Sequence, residues 1–183
     1  MAYKNIVLIP AALAALCFMI AAAADESGPY VGGMLGEGFT HYPANNVTNA
    51  SNINNKGLAG RVFGGYAINP YLAAEIGYEQ FTPASYKVSG VSTSINERGV
   101  DVMAKATLPL GESGFAINAR GGAAYMDASS IGKKVLPAVG AGLSYDLSPS
   151  MPIELTWMHF QHSGSSSIQN ADLVGLGLSY RFN

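Results

Sequence analysis

Residues Val100 to Leu110 read VDVMAKATLPL, and their alternation sets the secondary structure expected for the whole chain. Every second position, beginning at Val100, is apolar. The positions between them hold Asp101, Met103, Lys105, Thr107 and Pro109. An α-helix would mix the two sets on every face, whereas a β-strand places them on opposite faces. The stretch therefore predicts a strand with one apolar face and one face that carries charge.

The same alternation recurs in seven other segments of the chain. They are residues 30–40, 58–68, 72–79, 115–125, 135–147, 153–157 and 174–182. Where charged residues occur in these segments, they tend to share a face with glycines and other small residues. Together with the first stretch, the segments predict eight strands and an all-β fold class.

A soluble β-sandwich would alternate in the same way, but three features favour a membrane barrel. Several strands approach the ~9–11 residues that a tilted membrane strand needs. The charged face is small enough for a narrow lumen. Short connections (69–70, 111–114, 148–151) alternate with longer polar ones (41–56, 83–97, 127–134, 163–170). We therefore predict an eight-stranded antiparallel up-and-down transmembrane β-barrel, with periplasmic short turns and a last strand that pairs with the first.

Aromatic residues beside the short turns fit the girdle that membrane barrels place at the lipid–water interface. The residues assigned to this girdle are Tyr66, Phe115, Tyr145, Tyr180 and Phe182. They lie on the apolar faces of their strands, so they are expected to point toward lipid.

The first 24 residues have the pattern of a secretory signal peptide. Lys4 precedes an apolar run, and Ala21–Ala24 offers small residues for cleavage. The run is short for the alternative, a membrane anchor helix. We expect a signal peptide at 1–24, a barrel domain at 25–183 and export to the Gram-negative outer membrane. The single cysteine, Cys17, lies in the leader, and the formal net charge of −2 gives no indication of nucleic acid as a partner.

Four stretches resemble the transmembrane barrel of the outer membrane protein A family: FGGYAINPYLAAEIGYEQF (63–81), GVDVMAKATLPL (99–110), NARGGAAY (118–125) and LGLSYRF (176–182). The resemblance implies an eight-stranded outer-membrane barrel with a polar interior. It also implies contact with outer-membrane lipid and lipopolysaccharide, and with the barrel-assembly machinery through the C-terminal strand. Family members often continue into a peptidoglycan-binding domain, and the resemblance here covers the barrel only.

The resemblance places charged side chains in the lumen. Glu75, Lys105 and Arg120 match charged positions of the family, whereas Met34 stands where a lysine is usual. Ser144 and Glu154 stand at positions that usually hold glutamate and arginine. The family's charge-switching gate is therefore not expected intact.

A network of charges is expected inside the barrel. Its members are Arg61, Glu75, Lys105, Arg120 and Glu154, with Glu75 balancing Lys105 and Arg120. One hypothesis is a structural plug, because eight strands leave an interior just wide enough for side chains. The alternative is a small, low-conductance pore.

An enzymatic alternative rests on the stretch HFQHSGSSS, at 159–167. His159, His162 and the serines have the residue types of barrels that modify lipid A, but not their motif, and no carboxylate is evident nearby to orient a base. The histidines also lack metal-ligand spacing, so neither a metal nor a cofactor is expected. The sequence favours a non-enzymatic structural barrel with surface loops. A second hypothesis is an adhesin or surface-binding module that acts through loops 41–56 and 83–97.

Overall fold

The computed structural model describes residues 27–40, 50–54, 56–88, 91–128, 132–161 and 170–182. The predicted signal peptide lies outside these ranges, as do His162 and the serines that follow it. In the part of the chain that is described, no helix is long and apolar enough to cross a bilayer.

The described ranges form nine β-strands: β1 Gly28–Thr40, β2 Ala50–Asn54, β3 Lys56–Asn69, β4 Leu72–Val88, β5 Val91–Pro109, β6 Phe115–Ala128, β7 Gly132–Ser148, β8 Met151–Phe160 and β9 Ala171–Arg181. All of them except β2 close into one antiparallel barrel, in the order β4-β3-β1-β9-β8-β7-β6-β5 with β5 paired back to β4. The predicted pairing of the last strand with the first is confirmed, from Tyr30 opposite Arg181 to Thr40 opposite Ala171. Closure leaves no open sheet edge within the barrel wall.

Two of the predicted long loops contain more strand than expected. The region 41–56 includes β2, which pairs with β4. The expected loop 83–97 is wrong for most of its length, because β4 and β5 stay paired from Ala84 opposite Ile95 to Val88 opposite Val91. This part is rich in Ser and Thr with interspersed Val and Ile, and its backbone hydrogen bonds form a hairpin regardless of its polarity. The connection expected at 127–134 is also shorter, since β6 ends at Ala128 and β7 begins at Gly132.

The short turns lie together at one end of the barrel, which we call the short-turn end. At the β3–β4 turn, the Asn69 side-chain oxygen accepts hydrogen bonds from the backbone N–H groups of Tyr71 and Leu72, both at 2.8 Å. This Asx turn replaces ladder bonds where the chain reverses. Gly111 and Gly114 take positive φ angles of 67° and 76° in the β5–β6 turn, a backbone region that other residues rarely adopt.

The predicted separation of faces is observed. Val102 is 61% exposed on the outer face, whereas its neighbour Asp101 is 0% exposed inside the barrel. Leu72, which alternation placed outside, is buried at the short-turn end. It follows a register shift between Ala67 and Asn69, which interrupts the regular alternation there.

The interior has three zones along the barrel axis. A cavity of about 950 Å³ lies at the short-turn end, lined among others by Tyr30, Asn69, Lys105, Asp146 and Arg181. Ionised side chains fill the middle; we call Arg61, Glu75, Asp101, Lys105, Arg120 and Glu154 the charge layer. Beyond it lies the apolar layer: Ala59, Phe81, Met126, Leu136, Ala138, Met158, Phe160, Ala171 and Leu173. Met34, Met103 and Ala124 belong to the same buried cluster but lie level with the charges, opposite Arg61, Glu75 and Asp101. The interior is therefore only partly polar, in contrast to what the resemblance implied.

Candidate functional site

Glu75 is the centre of the charge layer. Its carboxylate accepts a hydrogen bond from Arg61 Nη1 at 3.0 Å and from Arg120 Nε at 3.1 Å. The Tyr30 hydroxyl donates to the other carboxylate oxygen at 2.9 Å. These donors come from β3, β6 and β1, while Glu75 lies on β4. One carboxylate therefore connects four strands of the barrel wall.

Arg120 carries the network across the lumen. It contacts Glu75 from one side and donates to both carboxylate oxygens of Glu154, from Nη1 to Oε1 and from Nη2 to Oε2 at 3.1 Å. Lys105 Nζ donates to the same Glu154 Oε2 at 2.8 Å. The Thr156 hydroxyl adds a further donor at 2.8 Å. Bidentate pairing of this kind fixes both side chains in orientation as well as in distance.

Arg61 joins the network to Asp101 through a second bidentate pair. Its Nε and Nη2 atoms donate to the two oxygens of Asp101, each at 2.7 Å. The pair lies over Gly77, where a Cβ atom would come within 2.6 Å of the Asp101 carboxylate and 2.7 Å of Arg61 Nη2. A larger residue at Gly77 would displace the ion pair, so glycine is required by space rather than by backbone conformation.

All five residues predicted for the lumen network are brought together by the fold. The pairing differs from the expectation in one respect, because Lys105 forms its ion pair with Glu154 rather than with Glu75. The prediction missed Asp101 and Tyr30. Asp101 could have been found, since it lies on the charged face of the same strand as Lys105. Tyr30 gave no signal, because a tyrosine in a membrane strand is equally expected on the outer face.

Polar side chains continue from the charge layer toward the short-turn end. The Thr107 hydroxyl donates to the Asn118 side chain at 2.8 Å, and the Asn118 amide donates to Ser144 at 3.0 Å. Ser144, at a position where the resembled family has glutamate, is therefore part of a neutral chain of hydrogen bonds. In the described ranges, no group of three or more His, Cys, Asp or Glu side chains could hold a metal ion.

The five predicted girdle aromatics are exposed on the outer face. Phe115 and Tyr145 lie on paired strands with ring centroids 4.7 Å apart, and Tyr180 and Phe182 are 5.1 Å apart. All five lie near the short-turn end of their strands. Their role at a lipid interface stays a prediction.

A second polar cluster lies on the outer face near the opposite end. His159 Nδ1 is 2.8 Å from Asp172 Oδ1, and the Trp157 indole N–H donates to the same oxygen at 3.0 Å. The carboxylate beside His159 was not evident from the sequence, because Asp172 lies on the next strand. The serines at 163 and 165–167 lie outside the described residues.

These features define the class of the protein. An antiparallel barrel that is closed, apolar outside and charged within is an integral β-barrel of the outer membrane, because lipid requires every backbone group to be paired. A family model described as the OmpA-like transmembrane domain matches residues 24–183, and the chain belongs to that family.

Relatives and solved structures agree with this assignment. Outer membrane protein A of Shigella flexneri is 26% identical over 197 residues, which cover 98% of this chain and 56% of that protein. The chain thus spans about half the length of the curated relatives it matches. Neisserial surface protein A aligns with a TM-score of 0.63 at 15% identity, over 86% of this chain and all of that one. Ail, the attachment invasion locus protein of Yersinia pestis, aligns at 0.56 and 13%, over 85% of this chain and 99% of that one. At these identities the two structures support the fold alone.

Proposed function

We propose that this outer-membrane barrel is a non-enzymatic structural protein whose lumen is closed to ions. The observation that carries the proposal is the filling of the lumen by two consecutive layers. The charge layer joins residues of β3, β4, β5, β6 and β8 across the interior. Next to it, Met158, Phe160 and Leu173 of the apolar layer are fully buried. An ion would have to displace ionised partners and then cross an apolar section, and either step is costly.

Conductance in planar bilayers tests this proposal. The wild-type barrel is expected to show near-zero single-channel conductance at neutral pH. A variant with Phe81→Ala and Phe160→Ala removes an edge-to-face pair of rings, whose centroids are 6.0 Å apart, from the apolar layer. This variant is designed to open the lumen and is expected to conduct. A variant with Leu143→Ala and Leu155→Ala on the outer face is the control. A steady wild-type conductance would make the barrel a small pore instead.

A second candidate function is binding at the cell surface. The support is the extension of β4 and β5 beyond their last barrel pairings, together with β2, which adds to β4. These three strands form a small ordered sheet at the end opposite the short turns. Such a sheet could present a partner with a defined backbone surface, which a loose loop would not.

Adhesion of cells that display the protein tests the second candidate. Replacing residues 50–54 and 84–95 by a short turn should abolish attachment to a surface that the wild type binds, at equal barrel abundance. A control in which only Gly111–Gly114 is replaced, at the other end of the barrel, should keep attachment. Equal attachment by all three proteins would remove this candidate.

Export with removal of residues 1–24 is also part of the proposal. The protein purified from outer membranes is expected to begin at Asp25, as measured by intact mass. A mass that includes the leader would contradict cleavage after Ala24.

The non-enzymatic part of the proposal has its own test. His159 and Asp172 form a base–acid pair on the outer face, so incubation with lipopolysaccharide and phospholipid, followed by mass spectrometry of the lipids, is the direct assay. Unchanged lipid is expected with both wild type and His159→Ala. Loss of an acyl chain with wild type alone would make the barrel an enzyme.

A further inference from the structure

Glu79 is a buried acid that the charge layer leaves out. It lies on β4 two residues beyond Gly77, on the same face of the strand. It is directly opposite Arg61 on β3 and Gly99 on β5. Its relative exposure is 0%, and neither carboxylate oxygen has a hydrogen-bond partner. A fully buried carboxylate without a hydrogen-bond partner is strongly disfavoured in its ionised form, and such a group takes up a proton instead.

The neighbours of Glu79 point the same way. Its opposite residue, Arg61, already directs Nε, Nη1 and Nη2 at Asp101 and Glu75. Asp101, the diagonal neighbour on β5, brings a second negative charge to the same place. A negative charge on the neighbouring strand disfavours ionisation of Glu79.

Among the described residues, the buried lumen contains one more acidic than basic side chain. The carboxyl groups are Glu75, Glu79, Asp101 and Glu154, and the cations are Arg61, Lys105 and Arg120. Further out, Glu97 on β5 and Lys134 on β7 add one charge of each sign to the lumen-facing side chains, and both have interactions of their own. A single proton on Glu79 neutralises the set.

Glu79 also lies beside the apolar layer. A Cβ atom added at Gly99 would meet both the Glu79 carboxyl oxygen, at 2.6 Å, and the sulfur of Met126. The two side chains therefore share the space over Gly99, and Met126 belongs to the apolar layer. A charge on Glu79 would draw water into this space.

We propose that Glu79 carries a proton in the folded barrel at neutral pH, and that loss of this proton loosens the apolar layer above it. The neutral acid packs against Met126 and can donate a hydrogen bond to Asp101. Deprotonation places an unpaired anion between the two layers. Alkaline pH is therefore expected to open the lumen by deprotonating Glu79. This inference rests on the proposed closed lumen and adds a pH dependence to it.

Infrared spectroscopy of the folded protein, with isotope-labelled glutamate, tests the protonation directly. Wild type at neutral pH should show the carbonyl stretch of a protonated carboxylic acid, and Glu79→Gln should lack it. The control Glu37→Gln removes an exposed glutamate on the outer face and should keep the band. Identical spectra for wild type and Glu79→Gln would overturn the proposal. If Glu79→Gln does not fold, the absence of the band in wild type overturns it equally. This measurement does not depend on whether the lumen conducts.

Proton linkage and conductance test the coupling. The folded state keeps a proton that the unfolded chain releases near pH ~4.3, so rising pH favours unfolding. The wild-type unfolding constant should therefore rise about tenfold per pH unit relative to that of Glu79→Gln between pH 5 and 7. At alkaline pH, wild type should begin to conduct while Glu79→Gln stays closed. Parallel pH profiles of unfolding for the two proteins would contradict the linked proton. Conductance that does not change with pH in either protein would contradict the coupling.

Discussion

The charge layer and the apolar layer fill the same tube by different physics. In the charge layer, each side chain has fixed partners, and Glu75 alone binds donors from three other strands. In the apolar layer, side chains such as Leu136 and Met158 pack without directional bonds. Removing one member should therefore have different consequences: an excess charge in the first case and a cavity in the second. The charge layer ties particular strands together, whereas the apolar layer fills the part of the lumen away from the short-turn end.

The largest effect is expected for Glu75→Gln. Arg61 keeps Asp101 and Arg120 keeps Glu154, but the substitution removes the carboxylate that the two guanidinium groups share and leaves the buried layer with an excess positive charge. Such an uncompensated buried charge costs about 3–5 kcal/mol. Reversible urea unfolding in lipid vesicles measures it, with Glu37→Gln as the exposed control. A loss of unfolding free energy no larger than that of the control would show that water enters the charge layer and solvates its cations.

A smaller loss is expected for Leu136→Ala in the apolar layer. Leu136 is almost fully buried, and deletion of a buried leucine side chain costs about 3 kcal/mol when the surroundings relax only partly. The matched control on the same strand is Leu143→Ala, which faces outward and is 44% exposed. Equal losses of unfolding free energy at Leu136 and Leu143 would mean that side chains in the apolar layer are packed no more tightly than side chains that face lipid.

The double variant sharpens the comparison further. If the two layers act independently, the losses for Glu75→Gln and Leu136→Ala should add within about 0.5 kcal/mol. A larger coupling energy would show that the layers are one unit. The same unfolding titration measures this, and the two single variants are its internal controls.

The sequence predicted the two layers unequally, and the reason is physical. Ionised residues inside a membrane strand contrast with the apolar face, so Glu75, Lys105 and Arg120 stood out. The apolar layer produces no such contrast. At the outer end of β8, Trp157 faces lipid while Met158 and Phe160 face the lumen, so the alternation of polarity is lost there. The eight barrel strands could be predicted because closure demands alternating faces over most of each strand. The extension of β4 and β5 could not, since it lies beyond the barrel and is held by hairpin pairing of polar residues.

The smallest effect is expected for Lys105→Gln, at the boundary between the charge layer and the cavity. The Lys105 side chain is 14% exposed and lines the 950 Å³ cavity, so water can reach its ammonium group. Its partner Glu154 retains Arg120 and Thr156, so no carboxylate is left unpaired. The loss should be about 1 kcal/mol, the upper end for pairs that solvent screens, and it should shrink as salt is raised. Unfolding titrations at low and high salt measure both features, with Arg181→Gln at the mouth of the cavity as the control. A loss as large as that of Glu75→Gln, unchanged by salt, would mean that Lys105 is as dry as the rest of the charge layer and that the boundary lies further toward the short-turn end.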